Sequence, residues 1–301
     1  LYEQIARNKR RTVLVVVGAL VFAGAVGFLF SWLIWNNGFV GLVIALLLSG
    51  ATAYWSYRYG YRVVLSTSRA RRVTHEEEPR LVNVVEGLAI AAGVPTPSVY
   101  VVPEQAPNAF ATGPNPDNSH IAVTQGLLDL MNRIELEGVI AHEMSHVRDR
   151  DILLGTVVAT LVGSVVLISE FMLRWMWWGG GGRRRGGDGG GEGFWLFALL
   201  GIVLAILAPI FAAMIRAAMS RQREYLADAE GAMLTRYPPG LAGALRKVAG
   251  DHTPMRVANN ATAHLWLNQP SRVPGEANHW FENLFSTHPP IQDRIRILEE
   301  M

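Results

Sequence analysis

Apolar residues run on for helix length four times along the chain, at about Thr12–Trp35, Phe39–Tyr59, Ile152–Trp178 and Phe194–Met219. At about 1.5 Å per residue each run is long enough to cross a bilayer, so the pattern predicts two pairs of membrane helices. Asn36-Asn37-Gly38 turns the first run straight into the second. The first run passes twenty residues and lacks a small-residue cleavage pattern, and it is read as a retained anchor rather than a signal peptide. The third run carries Glu170 and Arg174 one turn apart, beside Trp175, Trp177 and Trp178, a combination suited to a membrane interface. Gly179 to Gly193 is mostly glycine and reads as a flexible connection between the second pair. No strand precedes it and no Lys-Ser/Thr follows, so it is no phosphate-binding loop.

Between the two pairs the period changes. A helix is predicted from about Arg80 to Ala92, then a strand at Ser98–Val102 bounded by Pro95, Pro97 and Pro103. Asn108–Thr112 and His120–Thr124 read as two more strands, joined as a hairpin through Gly113-Pro114-Asn115-Pro116-Asp117-Asn118. Leu136, Val139, Ile140 and Val147 then recur at helical intervals, and Asn132 precedes Glu135 at capping-box spacing. Beyond the fourth run, Arg221 to Asp228 continues as a helix, Tyr237-Pro238-Pro239-Gly240 breaks it, and a further helix covers about Leu241 to Gly250. The expected fold class is mainly α with a small β-sheet (α+β), carried on four transmembrane helices. Four segments follow: a membrane hairpin over 1–60, an α+β segment over 61–151, a second hairpin over 152–219 with its glycine loop at 179–193, and a C-terminal segment over 220–301.

Composition supports the membrane reading, since half of the 301 residues are apolar and the mean hydropathy is +0.21. The net charge of +2 comes largely from arginines flanking the apolar runs, which suit anionic lipids and call for no nucleic-acid surface. Arg7, Lys9, Arg10 and Arg11 precede the first run, and Arg58, Arg62, Arg69, Arg71 and Arg72 follow or close the second. Both ends of that hairpin are therefore expected in the cytoplasm; Arg183, Arg184 and Arg185 in the glycine loop argue the other way and are outnumbered. The chain has no cysteine, which excludes disulfides and thiolate ligands.

The chemistry lies in His142-Glu143-Met144-Ser145-His146. On a helix this spacing sets two imidazoles on one face, able to share a Zn²⁺, with a carboxylate between them that can act as general base. The bland alternative is two surface histidines and a solvated glutamate. A catalytic zinc normally takes three protein ligands, so a third must come from elsewhere. The two crossings after His146 return the chain to the same side, where Glu224 lies one turn before Asp228. Glu224 is the candidate third ligand, and Asp228 can take the free ring N–H of a ligand histidine. Alone, Glu224 reads as an ion-pair partner of Arg221.

Asn108 and Phe110 have two readings, one as an exposed edge strand that receives an extended peptide, the other as a turn residue and a core residue. His75, His120, His252, His264 and His279 lack ligand-like spacing and default to surface or core. His288, in Thr287-His288-Pro289-Pro290, is either a group near the metal or the oxyanion, or part of a helix entry; Arg294 is a possible contact or clamp.

The chain resembles the M48 family of membrane metallopeptidases, specifically the bacterial and archaeal HtpX-type proteases. The resemblance covers nearly the whole length. It rests on His142 to His146, on Arg223-Glu224-Tyr225-Leu226-Ala227-Asp228, on Pro107-Asn108-Ala109-Phe110-Ala111-Thr112-Gly113, and on Ser286-Thr287-His288-Pro289-Pro290 followed by Arg294-Ile295. It implies a gluzincin-like zinc protease domain with His142, His146 and Glu224 as ligands to one Zn²⁺ per chain, Glu143 as base and Asp228 behind the ligands. It implies polypeptide substrates, chiefly damaged or misassembled membrane proteins, met at the cytoplasmic face of the plasma (inner) membrane. The alternatives are processing of a defined or lipid-modified peptide, and a non-proteolytic scaffold whose zinc is closed by four protein ligands.

Overall fold

The computed structural model describes residues 2–160, 221–257, 262, 265–268 and 289–301. Most of the third apolar run, the fourth run, the glycine loop and His288 lie outside the described residues, and so do His264 and His279.

Helices α1 (Tyr2–Trp35) and α2 (Gly38–Thr67) form a hairpin. Asn36 takes a left-handed conformation at the turn, with φ at 53°. The Asn37 side chain then accepts the Phe39 N–H to cap α2. Within these helices Ala6–Leu29 and Gly38–Thr67 are long and apolar enough to cross a membrane. Leu14, Val21, Phe39, Leu47 and Leu48 point outward, as side chains do where hydrocarbon is the solvent. Gly27 and Gly41 bring the helices to backbone contact, since a Cβ on Gly41 would lie 2.1 Å from the Gly27 carbonyl oxygen. Small residues of this kind are the usual way for helices to associate in lipid.

The second helix does not stop where the apolar run predicts. It continues past Tyr59 to Thr67, so a segment boundary at residue 60 falls inside it. The extension carries Val64 and Leu65 into a buried cluster with Val102, Ala106, Phe110, Ala122, Ala159, Met255 and Trp266. Phe110 meets Trp266 edge to face, with ring centroids 4.6 Å apart.

The sheet comprises β1 (Arg71–Arg72), β2 (Ser98–Val102), β3 (Ala109–Thr112) and β4 (His120–Thr124), in the order β1-β2-β4-β3. β3 and β4 pair as the expected antiparallel hairpin, β2 and β4 run parallel, and β1 is antiparallel to β2. The period of two along the strands sorts their side chains between two cores. Phe110 and Ala122 face the membrane-helix extension, whereas Ala109, Ala111, Ile121 and Val123 face the larger cluster.

That larger cluster holds α3 (Pro79–Ala92), α5 (Arg133–Arg148), α6 (Arg221–Thr235), α7 (Pro238–Gly250) and α8 (Ile291–Glu299), while the short α4 (Gln125–Leu130) follows β4 directly. α5 is its axis, buried along most of its length, with Leu136, Val139, Ile140 and Met144 fully enclosed. The capping box expected at its start is complete: the Glu135 N–H donates to Asn132 Oδ1 at 2.9 Å and the Asn132 N–H to Glu135 Oε2 at 2.8 Å. Lys247 of α7 reaches the same Glu135 carboxylate at 2.7 Å.

Because Phe110 joins the sheet to both α2 and the 265–268 segment, Phe110→Ala should cost about 3–5 kcal/mol through the cavity it leaves. The measurement is the melting temperature of the purified chain in detergent; a parent-like value would show that the cluster does not tie these parts together.

Candidate metal centre

Helix α5 presents His142 and His146 one turn apart, with their Nε2 atoms 3.2 Å from each other. Helix α6 supplies the opposing side. It can lie close because Gly231 has no side chain: a Cβ there would stand 2.9 Å from the His142 backbone nitrogen. Two turns earlier on α6, Glu224 points into the same space. One of its carboxylate oxygens lies 3.8 Å from His142 Nε2 and the other 3.8 Å from His146 Nε2.

A tetrahedral ion bound at about 2.0–2.2 Å spaces its ligand atoms about 3.3–3.6 Å apart. The separations here, from 3.2 to 3.8 Å, bracket that range, and the offered atoms of all three residues lie within 4.8 Å of one another. The donor set therefore fits a small divalent cation. Among the described residues it is three-membered, which leaves a coordination position for water or substrate.

Each imidazole is oriented by a carboxylate on its far side. His142 Nδ1 lies 3.0 Å from Asp228 Oδ1, and His146 Nδ1 lies 3.0 Å from Asp151 Oδ2. With both Nδ1–H groups donated outward, the two Nε2 lone pairs and the Glu224 carboxylate face one another across a buried space. The Arg294 guanidinium, 3.9 Å from Glu224, offsets part of the negative charge, and a cation between the three groups would offset the rest. The protonation preferences reflect it. Burial depresses His142, whereas Asp151, Glu224 and Glu143 outweigh the opposing effect of burial at His146 and push it up to about 10. A metal must displace that proton to bind.

Glu143, enclosed between the two histidines in sequence, is pushed up to about 7 by burial, with the Glu224 charge adding to the effect. Asp228 moves the other way. Burial raises it, but the Arg294 guanidinium outweighs burial and holds it below the usual carboxylate range. Arg294 donates from Nε to Asp228 Oδ2 at 2.8 Å and from Nη2 to Oδ1 at 2.7 Å. Its third nitrogen donates to the Leu267 carbonyl at 3.1 Å.

Of the residues singled out in the sequence, the structure brings together His142, Glu143, His146, Glu224, Asp228 and Arg294. Arg294 is buried and held in bidentate fashion on Asp228, the arrangement of the clamp reading. The open edge strand near Asn108 and Phe110 is not open at those residues. The Leu267 N–H donates to the Ala109 carbonyl at 2.8 Å, Asn108 exchanges hydrogen bonds with the Asn268 backbone, and Phe110 is wholly buried. Asp151 went unnoticed in the sequence. It stands just past the end of α5, where Arg150 takes a left-handed conformation at φ 58° and turns the chain back toward His146. An acid five residues past the second histidine was the available signal.

The sequence matches the model of Peptidase family M48 over residues 75–301. The chain belongs to this family. Among similar proteins, the Protease HtpX homolog of Caldanaerobacter subterraneus subsp. tengcongensis is 46% identical over 301 residues, covering 100% of this chain and 98% of that one. Those of Thermoanaerobacter pseudethanolicus and Lactobacillus acidophilus are 45% and 44% identical, over 98% and 100% of their lengths and all of this chain. The crystal structure of S. mikatae Ste24p is a more distant likeness, with a TM-score of 0.46 and 17% identity over 98% of this chain and 66% of that one. Membership of M48 makes the chain a metalloprotease, a hydrolase of polypeptides that works with a metal ion, and the HtpX homologues together with the two apolar helices make it a membrane protein.

If Asp151 sets the tautomer and basicity of His146, Asp151→Asn should weaken metal affinity about 10- to 100-fold. Competition against a chromophoric chelator would read this, and parent-like affinity would remove Asp151 from the centre.

Proposed function

We propose that this M48 protease is a zinc endopeptidase, acting at the cytoplasmic membrane face on misfolded or damaged membrane proteins. The observation that carries the reading is the convergence of His142 Nε2, His146 Nε2 and the Glu224 carboxylate in one buried space beside Glu143. Two imidazoles and one carboxylate form a donor set that suits Zn²⁺, one ion per chain, and three protein ligands suit a catalytic rather than a closed structural site. That count favours an enzyme over a zinc-bound scaffold. Bound there, Zn²⁺ supplies Lewis acidity, acidifying water and polarising a peptide carbonyl.

The chain's own groups do the rest. Glu143, buried beside that space, accepts a proton from the attacking water and returns it to the departing amine nitrogen. Asp228 and Asp151 each hold one imidazole in the tautomer that turns Nε2 inward. Arg294 keeps Asp228 ionised and in place.

The organisation into a membrane hairpin whose second helix runs on to Thr67, an α+β segment that follows to residue 151, a second hairpin over 152–219 and a C-terminal segment over 220–301 supports a site that faces one side of the bilayer. Two crossings between His146 and Glu224 return the chain to the same side. The basic residues flanking the first two apolar runs support the cytoplasm as that side. A centre rooted on membrane helices at this level meets polypeptides that emerge from the bilayer, which favours membrane proteins as substrates.

Two substitutions separate base from ligand. Glu143→Gln should retain one zinc per chain and lose about 10²- to 10⁴-fold in hydrolysis of an unstructured protein, whereas Glu224→Ala should lose zinc and activity together. Metal analysis paired with the assay reads both. Full activity in Glu143→Gln, or full zinc affinity in Glu224→Ala, would reject the assignment concerned. The membrane face is tested separately, in a chain with no native cysteine. A cysteine replacing Gly189 should react with an impermeant maleimide supplied from outside the inner membrane, while one replacing the exposed Gly250 should be protected until that membrane is opened. The opposite pattern would place the centre on the outer side.

A further inference from the structure

A cavity of about 170 Å³ opens where the start of α1 meets the first turns of α6, lined by Arg7, Asn8, Arg11, Asp149, Gln222 and Arg223 over Leu226. The proteolytic mechanism uses none of these residues directly. Three guanidinium groups and one carboxylate, Asp149, line it; Arg223 is also matched by Asp151 behind the lining, so Arg7 and Arg11 supply the excess positive charge that the recess presents. The Arg11 charge acts against that of Arg223, a side chain only 10% exposed, although Asp151 on its far side attracts it more strongly. The packing nonetheless holds them together. Asn8 is buried and donates to the Asp149 carbonyl at 3.2 Å, which pins this end of α1 onto the turn after α5.

An excess of positive charge in a polar recess calls for an anion, and guanidinium forks suit the paired oxygens of a phosphate group. The position of the cavity narrows the source. Arg7 and Arg11 lie on the opening turns of the apolar stretch Ala6–Leu29, and the α6 residues lie just beyond the fourth apolar run, so the recess sits at headgroup depth. We infer that the cavity between α1 and α6 is a binding site for the phosphate of an anionic phospholipid. A link to the metal centre follows from the same residues. Arg223 Nε lies 3.8 Å from the Asp151 carboxylate that orients His146, and Arg223 immediately precedes Glu224. A phosphate on Arg7 and Arg11, within reach of Arg223, would tie the start of α1 to the first turn of α6 beside the centre.

The test uses the full-length metal-loaded protein, delipidated in neutral detergent and then given phosphatidylglycerol, phosphatidylcholine or inorganic phosphate. Native mass spectrometry reads the lipid retained and thermal melting reads its effect, so neither result depends on proteolysis. The parent should retain one phosphatidylglycerol per chain and melt higher with it. Replacing Arg7 and Arg11 together by Gln should weaken retention about tenfold or more, the loss expected from removing charge-assisted hydrogen bonds. Replacing Lys9 and Arg10 together by Gln removes the same charge from exposed positions outside the cavity and should leave retention unchanged. Equal loss in both double variants would reduce the effect to general attraction between a basic segment and acidic lipid. Parent-like retention in the Arg7 and Arg11 variant would overturn the site. If inorganic phosphate alone raises the melting temperature and no lipid is retained, the cavity takes a free anion and the lipid assignment fails.

Discussion

The centre exists because α6 lies against α5 at backbone distance, and that contact depends on a missing side chain. At Gly231 even a methyl group would press on the amide of His142. Only at this separation do Glu224 and Asp228, successive turns of one helix, reach the two ring nitrogens of the same histidine from opposite ends. A second glycine serves the other flank of α5, where a Cβ on Gly138 would collide with the backbone of Leu241. The helix that carries the histidines is thus gripped on two sides by neighbours with no room to slide, which gives a metal site the positional precision it needs.

Charge is organised around that grip in pairs. Asp228 is balanced by Arg294 and, at longer range, Asp151 by Arg223, so each aspartate remains a strong acceptor for an imidazole N–H without standing as an isolated buried charge. Glu224 and Glu143 are the carboxylates that face the space where a cation belongs. Two positive charges in a divalent ion would offset two negative ones, and burial that is costly for either carboxylate alone becomes favourable with the ion present. Burial by itself pushes the Glu143 carboxyl up to about 7, and a divalent ion beside it would draw it back down.

The membrane part is coupled to this assembly through a continuous helix rather than a linker. α2 leaves the apolar stretch without a break and ends under the sheet, packed on Phe110 and Trp266, while α1 touches the turn after α5 through Asn8. The sheet's two faces therefore have different tasks. One face holds the membrane helix and the other holds the helix of the metal ligands.

The local elements were legible from the chain because their signals are local: the strand at Ser98–Val102, the hairpin of β3 and β4, and the capped start of α5 each depend on residues a few positions apart. The pairing of His142 with His146 is of the same kind, since one helical turn sets it. The spacing of Glu224 and Asp228, one turn apart on one helix, is also local, but their approach to His142 depends on the packing of α6 on α5. Three things were decided only by tertiary packing. The outer edge of β3 is taken by Leu267, far away in sequence, so that of the two readings open for Asn108 and Phe110 the structure has both residues buried. Arg294 was free in sequence to face substrate or scaffold, and the approach of α8 to α6 gave it to Asp228. Asp151 joined His146 through a left-handed turn at Arg150, a conformation that no periodic pattern announces. Periodicity reports which face of an element is buried; it does not report which distant element buries it, and hydrogen bonds between buried polar groups follow from that second choice.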